Sequence, residues 1–108
     1  MAVGCIVEFQ GGTKEQYDRT REIVERDKGE GPMSTGIIGH VAGALDNGNW
    51  CVVNIWDSRE GFQQFYESRV KPAIQEVGMP QPQVRYFEVH NMYLKEQQPE
   101  QEQMRHAA

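Results

Sequence analysis

The sequence predicts an α+β fold of the ferredoxin-like type, in which the order βαββαβ builds a four-stranded antiparallel sheet with helices on one face. Strand patterns occupy residues 2 to 9, 37 to 45, 50 to 56 and 84 to 94. Helical patterns lie between the first and second strands and between the third and fourth. With right-handed crossovers, we expect the first and third strands to be central and parallel to each other, and the second and fourth to be edges.

The composition indicates one small acidic domain. The 108 residues carry a formal net charge of -5, which argues against binding to the phosphates of nucleic acid. No apolar run approaches the roughly 18 residues of a membrane span, and the N-terminus lacks the pattern of a signal peptide, so we expect a cytoplasmic protein. Apolar residues make up 38% of the chain, so the core is thin, and a homodimer is expected to bury more surface.

The two cysteines, Cys5 and Cys51, have neither a metal-ligand spacing nor the pattern of a disulfide framework. We interpret them as reduced, buried thiols on adjacent strands, close together but not bonded. The sequence also lacks a Ser-His-Asp order, a phosphate-binding glycine pattern and a dinucleotide fingerprint. These absences exclude hydrolase, kinase and dehydrogenase chemistries, and we expect no metal and no cofactor.

The first helix begins with a recognisable cap and is followed by a long loop. Thr13 and Gln16 have the spacing of a capping box, which predicts a helix to about residue 27. Residues 28 to 36 include three glycines and show no periodicity, so this loop is either a slack connection or a lid over a site. Residues 95 to 108 are too polar to pack and are expected to form a disordered tail, with His106 in solvent.

The hairpin between the second and third strands has two possible registers. If Asn47 and Gly48 form a two-residue loop, His40 lies opposite Ile55 and on the other sheet face from Trp56. A three-residue loop reverses the parity and brings His40 onto the face of Asn54 and Trp56. We favour the two-residue loop.

The second helix follows the third strand almost directly. Asp57 or Ser58 can cap it, and Glu60 has the capping-box spacing from Asp57. Pro72 predicts a kink or break near residues 70 to 72, and Gly78 is expected to end the helix. The fourth strand is expected to be long, from residue 84 to residue 94.

The run from residue 52 to residue 65 carries a family resemblance. It has an apolar strand that ends in Trp56, then Ser58, Glu60 and two phenylalanines, Phe62 and Phe65. This run, together with residues 39 to 43 and 89 to 91, resembles the antibiotic-biosynthesis-monooxygenase-like branch of the dimeric α/β-barrel superfamily, including its uncharacterised bacterial members. The similar layout covers residues 2 to 94.

The resemblance implies a homodimeric α/β barrel with a small-molecule pocket between the sheet and the helices of each subunit. Members of the superfamily include cofactor-free oxygenases of polyphenolic substrates, haem-degrading oxygenases, polyketide cyclases, lactone isomerases and proteins without a known activity. Haem-degrading relatives have an Asn on the first strand, a Trp in the second helix and a haem-ligating His near its end. The first strand here has no Asn, and the other two positions fall at Phe65 and near Gln75, which argues against haem degradation.

Polar residues within apolar strands are the candidates for chemistry. A histidine can exchange a proton near neutral pH, and a mid-strand Asn can polarise a carbonyl or hold a water. The alternatives are a histidine hydrogen-bonded in the core and aromatic residues that only pack. The catalytic candidates are His40, His90 and Asn54, and the substrate-binding candidates are Tyr17, Trp56, Phe62, Phe65, Tyr66, Arg69 and Tyr86.

The function predicted from these residues and from the resemblance is a cofactor-independent monooxygenase of secondary metabolism that acts on a phenolic or polyketide-type substrate. His40 or His90 would be the base, and Asn54, Tyr66 and Arg69 would hold the resulting anion. The alternatives are a polyketide cyclase or isomerase that uses the same base, and a non-catalytic dimer that binds a ligand.

Overall fold

The computed structural model describes residues 1–26 and 36–95, and it forms the expected α+β fold. Four strands, β1 (Val3–Phe9), β2 (Ile37–Ala44), β3 (Trp50–Trp56) and β4 (Gln83–Glu88), make one sheet in the order β2-β3-β1-β4. The first and third strands are therefore central, as expected. The helices are α1 (Lys14–Arg26), α2 (Arg59–Phe65) and α3 (Lys71–Val77), with one π-helical turn, Tyr66–Val70, joining the last two.

The expectation that the first and third strands are parallel is wrong. β1 pairs with both β3 and β4 in antiparallel orientation, and β2 pairs with β3 in the same way. The hairpin makes β3 run opposite to β2, whereas the crossover through α1 leaves β1 and β2 pointing in the same direction. Because β1 and β2 point in the same direction and β3 is opposite to β2, β3 is antiparallel to both of its neighbours.

The sheet has two faces of different character. The inner face packs on the helices and holds the core, whose buried residues include Cys5, Trp56, Phe62 and Ile74. The outer face is apolar along its middle and has no cover among the described residues, so that Val41 is 65% exposed and Phe87 is 44% exposed. Cys5 and Cys51 are both free thiols on adjacent strands, as expected. The expectation that both are buried and close together is wrong, because only Cys5 is buried and the two lie on opposite faces, where Cys5 pairs with Asn54 and Cys51 pairs with Glu8.

The favoured hairpin register is wrong, and the three-residue loop is correct. The Leu45 amide donates to Asn49, the Gly48 amide donates to Leu45, and Gly48 has a φ of 92°. This is a type I turn followed by a left-handed residue, the usual geometry of a three-residue hairpin loop. As a result His40 pairs with Asn54 and lies on the inner face.

The first two helices, α1 and α2, begin with side-chain caps. The Thr13 hydroxyl accepts from the Gln16 amide at 3.1 Å, and the Gln16 side chain accepts from the Thr13 amide at 3.1 Å, so the predicted capping box is present. Ser58 caps α2 by accepting from the Gly61 amide. The cap is therefore Ser58, and Glu60 does not complete a capping box with Asp57.

Pro72 produces the expected break as a widened turn. The Lys71 amide donates to the carbonyl of Tyr66, which lies five residues earlier. A proline ring clashes with the carbonyl four residues before it, and a π-helical turn removes that clash. The helix ends as expected at Gly78, where φ is 84° and the Met79 amide donates to Ile74.

The fourth strand is shorter than expected. β4 ends at Glu88, which pairs with Val3, and its only continuation is the bond from the Val89 amide to Ala2. β1 begins at Val3, so residues 90 to 94 have no strand to pair with.

Two expectations concern segments that lie outside the described residues, except for residue 36 at the end of the loop and residue 95 at the start of the tail. These are the disordered tail, with the domain boundary before it, and the slack loop or lid at residues 28 to 36. Within residues 1–26 and 36–95, no helix is long and apolar enough to cross a membrane.

Candidate functional site

A cavity of about 410 Å³ lies between the inner face of the sheet and the helices. Its volume falls within the range of pockets that bind small molecules. The lining is mainly apolar, with a few polar side chains, and consists of Val7, Phe9, Tyr17, Thr20, Arg21, Val24, Glu25, Ile37, His40, Val52, Asn54, Phe62, Phe65, Tyr66, Val70 and Met79.

Three of the polar side chains form a hydrogen-bonded chain along the cavity wall. The Tyr17 hydroxyl lies 2.6 Å from His40 Nε2, and His40 Nδ1 lies 2.6 Å from Asn54 Oδ1. An amide oxygen only accepts, so His40 Nδ1 carries the proton and donates to Asn54. In the neutral imidazole, Nε2 is then an acceptor, and the Tyr17 hydroxyl donates to it.

The fold positions each member of this chain. The three-residue hairpin loop sets His40 directly across from Asn54 on the neighbouring strand. Tyr17 projects from α1 and packs against Trp50 with a ring-centroid distance of 5.3 Å, while its ring stacks near that of His40 at 6.2 Å. Asn54 is only 7% exposed, so its hydrogen bond to His40 compensates for the loss of water at its amide oxygen.

Burial controls the acidity of Tyr17, the tyrosine of this hydrogen-bonded series. Desolvation raises the pKa of Tyr17, although the positive charge of Arg21 acts in the opposite direction. Tyr17 therefore remains protonated at neutral pH and can donate to His40. Burial also raises the pKa of Tyr66, to which the negative charge of Glu67 contributes.

Aromatic side chains of the second helical segment form the opposite wall. Phe62 and Tyr66 stack with ring centroids 5.9 Å apart, and Phe65 lies 5.4 Å from Trp56. Trp56 is only 2% exposed and lies behind this wall without lining the cavity. Flat aromatic walls of this kind suit a ring-bearing ligand.

Besides Trp56, three of the residues chosen from the sequence lie away from the cavity lining. The Arg69 guanidinium donates to the Val24 carbonyl at 3.1 Å, near the end of α1. Tyr86 packs edge-on against Phe62 and carries the Arg59 guanidinium 3.8 Å above its ring. His90 is exposed beyond the end of β4.

Three polar residues that the sequence analysis did not select also line the cavity. Arg21, Thr20 and Glu25 lie on α1 and line the cavity. The available signal was helical spacing, because Arg21 follows Tyr17 by four residues and Glu25 follows Arg21 by four. On a helix with so many charged residues, this signal is indistinguishable from an ordinary solvent-exposed face. Within the described part of the chain, His, Cys, Asp and Glu form no group of three or more that could hold a metal ion.

The four-stranded antiparallel sheet with helices on one face is the fold of antibiotic-biosynthesis-monooxygenase-like proteins. Several solved structures share it. A candidate antibiotic biosynthesis monooxygenase from Chloroflexus aurantiacus matches with a TM-score of 0.57 and 17% identity, over 86% of this chain and 97% of that one. The cofactor-independent oxygenase SnoaB from Streptomyces nogalater matches with a TM-score of 0.58 and 12% identity, over 87% of this chain and 98% of that one.

A protein of unknown function from Nitrosomonas europaea has a TM-score of 0.60 and 11% identity, over 89% of this chain and 96% of that one. No family model matches the sequence, and no curated protein matches it significantly. At these identities the likeness shows the fold, and the resemblance indicated by the sequence is confirmed at that level.

Proposed function

We propose that this protein is a cofactor-independent oxygenase of a phenolic or polyketide-type substrate, with His40 as its base. The observation that carries the proposal is the hydrogen-bonded chain from Tyr17 through His40 to Asn54 in the wall of a mainly apolar cavity. A base in the wall of an apolar cavity can remove a proton from an electron-rich, ring-bearing molecule that binds there. The likeness to the fold of SnoaB supports this choice of reaction.

In the proposed mechanism Tyr17 passes the proton to His40. The substrate C–H proton moves to the Tyr17 oxygen while the Tyr17 proton moves to His40 Nε2, so Tyr17 is neutral before and after the step. The resulting imidazolium donates from Nδ1 to Asn54 Oδ1, which stabilises its positive charge. His40 rather than His90 takes this role because His40 lines the cavity and His90 does not.

Oxygen then reacts with the carbanion. For a substrate with a methylene between two aromatic rings, the carbanion adds to O₂, and the peroxide takes back the proton from His40. The hydroperoxide loses its second C–H proton as the O–O bond breaks, which leaves a ketone and releases water. One oxygen atom enters the product and the other enters water, so no external reductant is needed.

Anthrone, whose central methylene is activated in this way, is a suitable probe together with its hydroxylated derivatives. We expect one O₂ consumed for each anthraquinone formed, and His40→Ala to lower kcat/KM by about 100-fold or more. His90→Ala is the matched control and should retain the wild-type rate. Tyr17→Phe should lose less than His40→Ala, because His40 can still accept the proton directly.

Three outcomes would contradict this assignment. Conversion of a substrate at the full rate without oxygen, to a product that contains no added oxygen atom, points to a cyclase or isomerase. Binding without turnover of any of these compounds points to a ligand-binding protein. An unchanged rate in His40→Ala removes His40 as the base.

The proposed enzyme is a homodimer whose subunits meet through the outer sheet faces. Ile6, Val53 and Ile55 are half-buried on this face, and Val41 and Phe87 are exposed. The tip of the Phe87 ring lies over Gly4, where a Cβ would be only 2.1 Å from it, so an apolar ring covers the strand at this point. The charges at the end of the face are already paired, since Arg85 contacts Glu8 at 3.2 Å.

A cytoplasmic location completes the proposal. The thiols of Cys5 and Cys51 are both free, as is usual for proteins of a reducing compartment.

A further inference from the structure

Most of the polar side chains that line the cavity lie together, since four come from α1, and His40 and Asn54 of the sheet are hydrogen-bonded in line with Tyr17. Tyr17, Thr20, Arg21 and Glu25 are contributed by α1, and the wall made by Phe62, Phe65, Tyr66 and Val70 is aromatic or aliphatic in its contacts. A ligand that fills the cavity would therefore place its rings against the aromatic wall. Its polar substituents would then face α1.

Among the described lining residues, Arg21 is the only one that carries a positive charge. It stands one helical turn from Tyr17, so its guanidinium and the Tyr17 hydroxyl belong to the same stretch of wall. The positive charge of Arg21 acts on Tyr17, since it lowers the pKa of Tyr17 against the larger, opposite effect of burial. An acidic group on a ligand would meet Arg21 beside the proton-transfer chain.

Glu25, the other charged lining residue, is one turn further along α1. A ligand acid bound between Tyr17 and Arg21 would have Arg21 between itself and Glu25. The order of the three side chains along the helix thus favours an anion at the Tyr17 end of the cavity and disfavours one at the Glu25 end.

We propose that Arg21 is a specificity-determining residue that selects ring-bearing substrates with an acidic group, a carboxylate or an ionised phenol, and holds that group at the end of the cavity where Tyr17 lies. The proposal rests on the proposed function for the identity of the site, and it adds the substrate's charge and its orientation. Arginine suits this role because its planar guanidinium can donate two parallel hydrogen bonds to a carboxylate. Arg21 is exposed, so its effect on binding should be moderate.

Two fluorescent dyes test the proposal without any turnover. Anilinonaphthalene sulfonate and N-phenylnaphthylamine share one ring system and differ by an anionic group, so the ratio of their Kd values isolates the contribution of the charge. In Arg21→Gln the preference for the anionic dye should fall about three- to fivefold. Arg19→Gln removes the same charge from an exposed position on α1 outside the cavity lining and should leave the ratio unchanged.

Further variants locate the effect. Arg21→Lys should keep part of the preference, Glu25→Gln should increase it, and Val70→Trp should weaken both dyes by filling the cavity. An unchanged ratio in Arg21→Gln, or an equal fall in Arg19→Gln, would overturn the proposal, as would unchanged dye binding in Val70→Trp. If the dyes behave as expected but anthrone is not oxidised, the proposed oxygenase fails and the role of Arg21 in selecting anions stands.

Discussion

Asn54 shows how one side chain links the sheet to the chemistry. Its strand otherwise directs Trp50, Val52 and Trp56 into the core, and a polar group at that position is tolerated because it accepts from His40. Removing one partner of a buried hydrogen bond typically costs about 1 to 3 kcal/mol of stability. The same bond fixes the His40 proton on Nδ1, so that Nε2 accepts from the Tyr17 hydroxyl and can take up the proton of Tyr17.

Cys5 makes the stability of the protein sensitive to alkaline pH. Burial raises the pKa of the Cys5 thiol from 9.0 to about 11, although the positive charge of Arg59 acts in the opposite direction. Above pH 9 the unfolded chain loses this proton while the folded chain keeps it. The free energy of unfolding should therefore fall by roughly 1.4 kcal/mol per pH unit toward pH 11 through this group alone.

Urea unfolding in the presence of a reductant at several pH values from 8 to 11 measures this effect. Cys5→Ala should be less stable at every pH because it leaves a small cavity, but its stability should decline less steeply above pH 9. Cys51→Ala is the comparison. Burial also raises the pKa of Cys51, but Cys51 is less buried, so the slope should change less than in Cys5→Ala. Identical slopes for wild type and Cys5→Ala would contradict the assignment.

At the scale of elements, the β2–β3 hairpin decides what the cavity contains. Asp46, Asn47 and Gly48 are compatible with a two-residue loop around Asn-Gly and with a three-residue loop that ends in a left-handed glycine. Both choices satisfy local turn chemistry. The structure adopts the loop that directs His40 inward, where it can bond to Asn54 and Tyr17.

Two glycine substitutions separate backbone strain from packing in this hairpin. A Cβ on Gly48 or on Gly43 would meet no atom within 4 Å, but only Gly48 has a positive φ, of 92°. We expect Gly48→Ala to cost about 1 to 2 kcal/mol and Gly43→Ala, within β2, to be neutral or to stabilise by about 0.5 kcal/mol. Urea midpoints measure both, and equal effects would show that the turn conformation does not matter.

The outer sheet face is the proposed surface through which two copies of the protein associate. If it is the dimer interface, Val53→Glu places a charge in the middle of that interface and should raise the dimer dissociation constant by at least about tenfold. Gln64→Glu adds the same charge at an exposed position of α2 and should remain dimeric. Sedimentation equilibrium measures both, and a monomeric wild-type protein at micromolar concentration would contradict the interface.

The fold was largely predictable because several of its signals are local. The bounds of β3, the capping box at Thr13 and the stop at Gly78 depend on a few neighbouring residues. The length of β4 was not predictable in this way. Its alternating pattern continues beyond Glu88, but Glu88 already pairs with Val3, the first residue of β1.

The site was predictable in part for a similar reason. Residue type alone marked His40 and Asn54 as unusual in apolar strands, but their contact depends on the hairpin register. Arg21 carries no such mark, since a charged residue on an amphipathic helix is ordinary. Arg69 was expected near the ligand, yet it bonds to the Val24 carbonyl across the helices.

The π-helical turn between α2 and α3 has a consequence for how this cavity can change over time. The extra residue of a π-helical turn shifts the register of the helix between its two sides. Phe62 and Ile74, on either side of the turn, are buried in the core, and Tyr66 and Val70, within the turn, line the cavity together with Phe62. Substitutions at Tyr66 or Val70 can therefore alter the shape of the ligand site while the anchoring contacts persist. The part of the cavity wall that lies in the π-helical turn is therefore the part of the helix that is most free to diverge.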